Sequence, residues 1–205
     1  MKHELDKLLC EKYPKMMVNR NKDMTETCMC WGFEVGDGWF NIINQLMGNI
    51  QHHIDWKRKQ RMSALLYNRA LKQALKGNKS ALIRYYTYSS VPTDGTYKSV
   101  EEAIEKAKFR DIPDTIPQVT LDQVKEKFGT LRFYYSGGDD YISGMVAMAE
   151  SMSGVMCEEC GNPAESKGGS WIRTICDPCE ELREKAHALR MAEYELSKTV
   201  RKVDV

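Results

Sequence analysis

The sequence predicts an α+β, mostly helical fold closed at its C-terminal end by a small cysteine-held module. Three observations predict it. Apolar residues recur every three or four positions through one long central stretch, the period of a helix with one buried face. "TLRFYY" alternates, with Leu131, Phe133 and Tyr135 on one face and Arg132 and Tyr134 on the other, which is the period of a strand. Four of the 7 cysteines form two Cys-x-x-Cys pairs near the end of the chain.

From the start of the chain, Leu5, Leu8 and Leu9 predict a short helix ending near Pro14. "CMCWGFEVGDGW" is rich in glycine and aromatics and reads as a partly buried, turn-containing loop, with Asp37 placed to cap the next helix. Ile42, Ile43, Leu46, Met47, Ile50 and Ile54, then Met62, Leu65, Leu66, Ala70 and Leu75, predict one long helix, or two joined by a kink, over 38–77. Gly77-Asn78 is its stop signal. "YYTYSSVPTDGTYKS" reads as a surface loop. Ser99 with Glu102 forms a capping box ahead of a helix through "VEEAIEKAKF", and Pro113 and Pro117 mark an extended connector. Thr120 with Gln123 repeats the capping pattern, so "LDQVKEKF" is expected to be a helix ended by Gly129. After the strand, Gly137-Gly138 turns the chain into a helix over "DDYISGMVAMAESMS", with Asp139-Asp140 at its start. No internal repeat or low-complexity segment appears.

Cys157, Cys160, Cys176 and Cys179 have the spacing of a structural zinc site: each pair turns two sulfurs to one side, and two pairs complete a tetrahedron. Gly161 permits the tight turn of a knuckle, and "NPAESKGGSWIRTI" can form a hairpin with Gly168-Gly169 in its turn. Cys179 leads into the helical "EELREKAHALRMAEYELSK", whose first amides are expected to favour thiolates at Cys176 and Cys179. Knuckle, hairpin and helix make a treble-clef-like arrangement. The expected division is a helical α+β body over 1–154 and a zinc module with its C-terminal helix over 155–205. One Zn2+ with four protein ligands leaves no open position, so its expected role is structural rather than catalytic.

Cys28, Cys30, His52 and His53 could form a second metal site, although nothing in their spacing requires them to meet; buried cysteines beside Trp31 and Phe33 are the plainer reading. Glu34 or Asp37 with a histidine could serve acid–base chemistry. No phosphate-binding loop, nucleophile elbow or His-Glu-x-x-His motif is present. No apolar run is long enough to cross a membrane, and the start resembles no signal peptide, so a cytoplasmic protein is expected.

The formal net charge of +1 hides one strongly basic element, because nine cations and no acid lie between Trp56 and Thr93. Lys57, Arg58, Lys59, Arg61, Arg69, Lys72 and Lys76 are the candidate partner-binding residues within the basic stretch 57–84. They could neutralise phosphates while Tyr67, Tyr85, Tyr86 and Tyr88 stack on bases, could dock an acidic protein, or could form a solvated face.

"CMCWGFEVGDGWFNIINQL", "QVTLDQVKEKFGTLRFYYSGGDDYISGMVAMAESMSGVMCEEC" and "GGSWIRTICDPC" together resemble a family of small proteins of tailed bacteriophages and bacteria with no assigned activity. In similar sequences the last ligand position, here Cys179, can be histidine, which suits zinc rather than a redox pair. The resemblance implies interaction with a host or phage macromolecule in the host cytoplasm, including inhibition of a host defence system. The leading expectation is therefore a non-enzymatic zinc-binding protein whose partner is a protein or a nucleic acid. An enzyme acting on nucleic acid is the rival.

Overall fold

The computed structural model describes residues 1–88, 100–169 and 171–203. The chain divides into two compact units, the first formed by 1–51 with 118–205 and the second by 52–117. Among the described residues no helix is long and apolar enough to cross a membrane.

The first unit is α+β. Helix α1 (His3–Lys12) is followed by a short 3-10 turn over Cys28–Trp31 and strand β1 (Phe33–Glu34). Helix α2 (Phe40–Leu75) begins here and runs into the second unit as one helix, the first of the two expected alternatives. β2 (Thr120–Lys127) and β3 (Thr130–Ser136) form an antiparallel hairpin, and β1 joins β2 in parallel, giving the order β1-β2-β3. Trp39, Ile43, Met47, Leu121, Val124, Leu131, Phe133 and Ile142 are among its buried side chains. Helix α5 (Asp140–Ser153) follows, and Asp139 caps it as expected, its carboxylate accepting the Ile142 N–H at 3.1 Å. β3 is an edge strand, and its exposed donors are covered from α5. The Leu131 N–H donates to Ser153 Oγ at 2.8 Å and the Phe133 N–H to Glu150 Oε1 at 2.9 Å.

Strand β2 corrects the helix expected over 121–128. Leu121 and Val124 stand three apart, which reads as helical spacing. In the strand, an irregularity between Leu121 and Gln123 inserts one extra residue, so both apolar residues reach the same buried face, opposite Tyr135 and Phe133. Phe128-Gly129, where the sequence suggests a helix stop, is instead the two-residue hairpin turn. Both residues have positive φ, 55° and 77°, as a primed turn requires.

Asp37 also departs from expectation. A short 3-10 turn over Asp37–Trp39 precedes α2, and the Asp37 side chain caps neither. It accepts the Lys2 N–H at 2.7 Å and pairs with Lys2 Nζ at 3.0 Å. Burial acts to raise its carboxyl pKa, but the Lys2 amide and ammonium outweigh burial and hold it below the usual 3.8. A depressed native pKa contributes stability above the unfolded value and loses it as pH falls through the native one. Asp37→Asn should therefore lower the urea midpoint at pH 7, and the difference from the parent should shrink as acid protonates the native carboxylate.

The second unit is helical, built from the rest of α2, α3 (Ser80–Tyr88) and α4 (Val100–Lys106). Tyr67, Ala70, Leu71, Ala74, Leu82 and Ile104 form its core. Tyr85–Tyr88, expected to open a loop, belong to α3; the rest of that loop, and Ser99 of the capping box, lie outside the described residues. The connector expected around Pro113 and Pro117 is fixed by polar contacts. Arg61 donates to the Pro113 carbonyl, and Asn68 bonds both the carbonyl and the amide of Arg110 at 2.8 Å.

Candidate metal centre

The first cysteine pair lies in a tight turn after α5. The Gly161 N–H donates to the Cys157 carbonyl at 2.8 Å, and Gly161 takes φ 78°, a conformation that costs glycine nothing. The "GDGW" stretch clamps this turn from outside. Gly38 N–H donates to the Glu158 carbonyl at 2.7 Å, Gly36 N–H to Glu158 Oε1 at 2.9 Å, and Trp39 Nε1–H to the Met156 carbonyl at 2.9 Å. Backbone meets backbone so closely that a Cβ on Gly38 would stand 2.3 Å from the Cys157 oxygen. Sequence reading misses this role of Gly36, Gly38 and Trp39. Their one visible signal is two glycines flanking an acid ahead of a buried tryptophan, far from the cysteines in sequence.

The second pair is delivered by a hairpin and a helix. β4 (Glu165–Lys167) pairs antiparallel with β5 (Arg173–Ile175), with Gly168 in the intervening turn at φ 105°. Cys176 follows β5 directly, and Cys179 lies in the first turn of α6 (Asp177–Val203). Lys167 ties hairpin to helix through Asp177 and Glu180, the latter at 2.7 Å. β5 also meets the central sheet, where Thr174 Oγ1–H donates to the Gly129 carbonyl at 2.6 Å.

The four sulfurs all lie within 4.8 Å of one another, and Cys160 and Cys176 are 3.6 Å apart. Four sulfurs each ~2.3 Å from a tetrahedral ion stand about 3.8 Å apart, so the cluster has the size of one four-thiolate metal site. No pair is joined in a disulfide. The electrostatics suit a cation. Burial pushes the Cys157 thiol up, but amides of Cys176, Cys160 and Glu159 aimed at its sulfur outweigh this and bring it down to about 7. Burial and the neighbouring sulfurs push the Cys179 thiol upward. Alone, the group readily carries one negative charge; a divalent cation is what lets all four sulfurs ionise together. The amides that favour the Cys157 thiolate come from Cys176 just ahead of α6 and from the knuckle, Cys160 and Glu159, while Cys179, at the helix start, is pushed upward rather than favoured as the sequence suggested.

The other sequence candidates are placed differently. Among the described residues this is the one cluster of three or more potential metal ligands, so Cys28, Cys30, His52 and His53 form no second site. Nor is the plainer reading of buried cysteines met: Cys28 and Cys30 are half-buried and Trp31 is exposed.

On α2, Arg58, Arg69 and Lys72 are exposed and at 100° per residue fall within roughly 60° of one another; Lys76, also exposed, lies just past the helix end at Leu75. Lys59 is exposed outside that arc, while Lys57 and Arg61 are half-buried, Lys57 against Trp56 and Arg61 on the connector. Tyr67 and Tyr85, expected to stack on bases, belong to the interior. Arg110 sits 4.0 Å from the Tyr67 ring centroid and bonds the Tyr85 hydroxyl at 2.9 Å. Sequence reading also passes over what lies between the cations, where Met62, Leu65 and Leu66 emerge 56%, 38% and 51% exposed. The helical period alone assigns them to the buried face.

No family model, curated protein or solved structure matches this chain.

Proposed function

We propose that the chain is a non-enzymatic binding protein whose C-terminal module is a treble-clef-like structural zinc site, and that it docks an acidic protein on the basic face of α2. The observation that carries the docking is the composition of that face, with Met62, Leu65 and Leu66 exposed between Arg58 and the trio Arg69, Lys72 and Lys76. A face that only tracks phosphates needs cations and base-stacking rings. Of the tyrosines offered for stacking, Tyr67 lies in the core and Tyr85 packs against it, while the side chains of Tyr86 and Tyr88 lie outside the described ones. An apolar centre with a basic rim suits an acidic partner that buries a few apolar side chains of its own. The knuckle, hairpin and helix around Cys157, Cys160, Cys176 and Cys179 support the zinc reading, and a complete thiolate shell supports a structural role. The resemblance to small phage proteins supports a host or phage protein as the target.

The test is capture from host lysate by the full chain, with and without nuclease, beside two variants. Met62→Ser with Leu66→Ser removes the apolar centre, and Arg69→Glu with Lys72→Glu reverses the rim. An acidic protein retained after nuclease and lost from both variants is the expected result. For a purified partner, rim reversal should lower the association rate, with a salt dependence to match, and the serine pair should mainly raise the dissociation rate. Loss of every partner on nuclease treatment overturns the protein reading in favour of nucleic acid.

A further inference from the structure

The outer face of the central sheet carries groups that the fold itself leaves unused. Val124 and Phe133 are paired and buried, so the alternate residues of β2 and β3 turn to the other side. There Gln123 lies opposite Tyr134, Lys125 opposite Arg132 and Lys127 opposite Thr130. Lys125 and Arg132 are like charges in directly opposed positions, an arrangement that destabilises a sheet. Among the described residues none of Lys125, Lys127 and Arg132 forms an ion pair. Arg132 Nη1 donates to Thr130 Oγ1 at 2.6 Å and to the Leu131 carbonyl at 2.7 Å. Lys125 Nζ stands 5.6 Å from the Tyr134 ring centroid and Lys127 Nζ 5.4 Å from that of Phe128. Glu34, level with Lys125 on β1, accepts from Gln123 Nε2 at 3.1 Å instead.

The turn between the two strands adds an independent observation. A primed turn favours Asn, Asp or Gly at its first central position, and the residue there is Phe128, at φ 55°. A bulky side chain rarely takes that conformation, because its Cβ crowds the backbone. Burial would be the ordinary compensation, yet Phe128 is 67% exposed. A strained residue with no packing reason inside the fold points to a contact outside it. Tyr134, on the sheet face itself, is 43% exposed.

The make-up of this face identifies the ligand. Its six paired positions hold cations, polar groups and one aromatic ring, with no Leu, Ile, Val or Met among them. A protein interface needs an apolar centre, of the kind that Met62, Leu65 and Leu66 give to α2. Rings set beside ammonium groups match the alternation of base and phosphate along an unpaired strand, where every base offers a π face. A duplex keeps those faces inside its own stack. We infer that the outer face of β2 and β3 binds single-stranded nucleic acid, with bases stacked on Phe128 and Tyr134 and phosphates held by Lys125, Lys127 and Arg132. The site belongs to the first unit and stands independently of the protein docking proposed for α2, whose residues belong to the second.

Fluorescence anisotropy of a short labelled oligothymidylate, titrated with the full chain at several salt concentrations, tests this. Saturable binding is expected, with a log–log salt slope of about −2 for three phosphate contacts. Phe128→Asn suits the turn and removes the ring, so it should raise the urea midpoint while weakening binding about tenfold. Lys125→Gln with Arg132→Gln removes the opposed charges. It should leave the fold at least as stable and cut the slope to about −0.7. Because neither variant is expected to lose stability, weaker binding would not come from unfolding. Arg69→Glu with Lys72→Glu on α2 should bind the oligonucleotide as the parent does, and a duplex of the same length should bind more weakly than the single strand. A parent chain that leaves the oligothymidylate unbound at low salt overturns the inference. So does binding that survives both sheet variants, binding that falls with the α2 pair instead, or a duplex held as tightly as the single strand.

Discussion

Cys157→Ser is expected to abolish metal binding at the four-cysteine cluster and to unfold the C-terminal module, while the second unit keeps its helices. Cys157 is the buried member of the cluster, and three amides converge on its sulfur. A serine there offers a weak oxygen ligand at a position built around a thiolate. Structural zinc binding carries on the order of 10–16 kcal/mol in small modules, and because no preformed site exists in the unfolded chain, that free energy is folding free energy. The 3-residue strands β4 and β5 bury little apolar surface, so the metal is expected to supply most of what holds them. Elemental analysis should give one zinc per parent chain and none for the variant. Chelation of the parent should reproduce the variant's circular dichroism and its protease sensitivity after residue 155. Cys179→His should keep the metal, since imidazole is an ordinary zinc ligand. Acidification should release it, because protons compete for all four sulfurs. A parent chain that purifies without metal, and whose module melts no lower with chelator, would count against the assignment.

The ligands of that site were legible because their chemistry is local. Two Cys-x-x-Cys turns need only three-residue spacing and a helix start to present sulfurs, and both are written in the sequence around Cys157 and Cys176. The long helix was legible for the same reason, with one period sustained from Ile42 to Leu75. What the sequence hid was non-local. Leu121 and Val124 carry helical spacing, and only pairing with β3 shows that an extra residue turns both to one face. Asp37 has the right residue type for a cap, but Lys2, 35 positions away, claims its carboxylate. Met62, Leu65 and Leu66 fit the apolar tally of α2, yet the helix buries its other side, with Ala64, Tyr67 and Leu71. Periodicity says that a helix has apolar residues; the number of faces covered depends on the neighbours that the fold supplies.

Gly38→Ala should be the most damaging single-methyl change outside the metal ligands. Its Cβ would stand 2.3 Å from the Cys157 oxygen, 2.4 Å from the Gly161 nitrogen and 2.7 Å from the Cys160 nitrogen. All three are backbone atoms of the knuckle itself, so no side chain can swing aside to relieve the clash. Either the knuckle or the entry to α2 must move. Moving the knuckle shifts the Cys157 and Cys160 sulfurs off their corners; moving the entry breaks the Gly38–Glu158 and Trp39–Met156 hydrogen bonds. We expect a loss of about 3 kcal/mol or more in urea unfolding of the metal-loaded protein, together with faster zinc release to a chelator. Gly144→Ala is the matching control. It lies inside α5, nothing stands within 4 Å of its added methyl, and the same substitution should raise stability by about 0.5–1 kcal/mol through helix propensity alone. Opposite signs for one chemical change at two glycines would show that the contact with the knuckle, rather than glycine's flexibility, decides the outcome at Gly38. If Gly38→Ala instead holds its zinc as firmly as the parent, then the "GDGW" stretch lies against the metal module without bracing it.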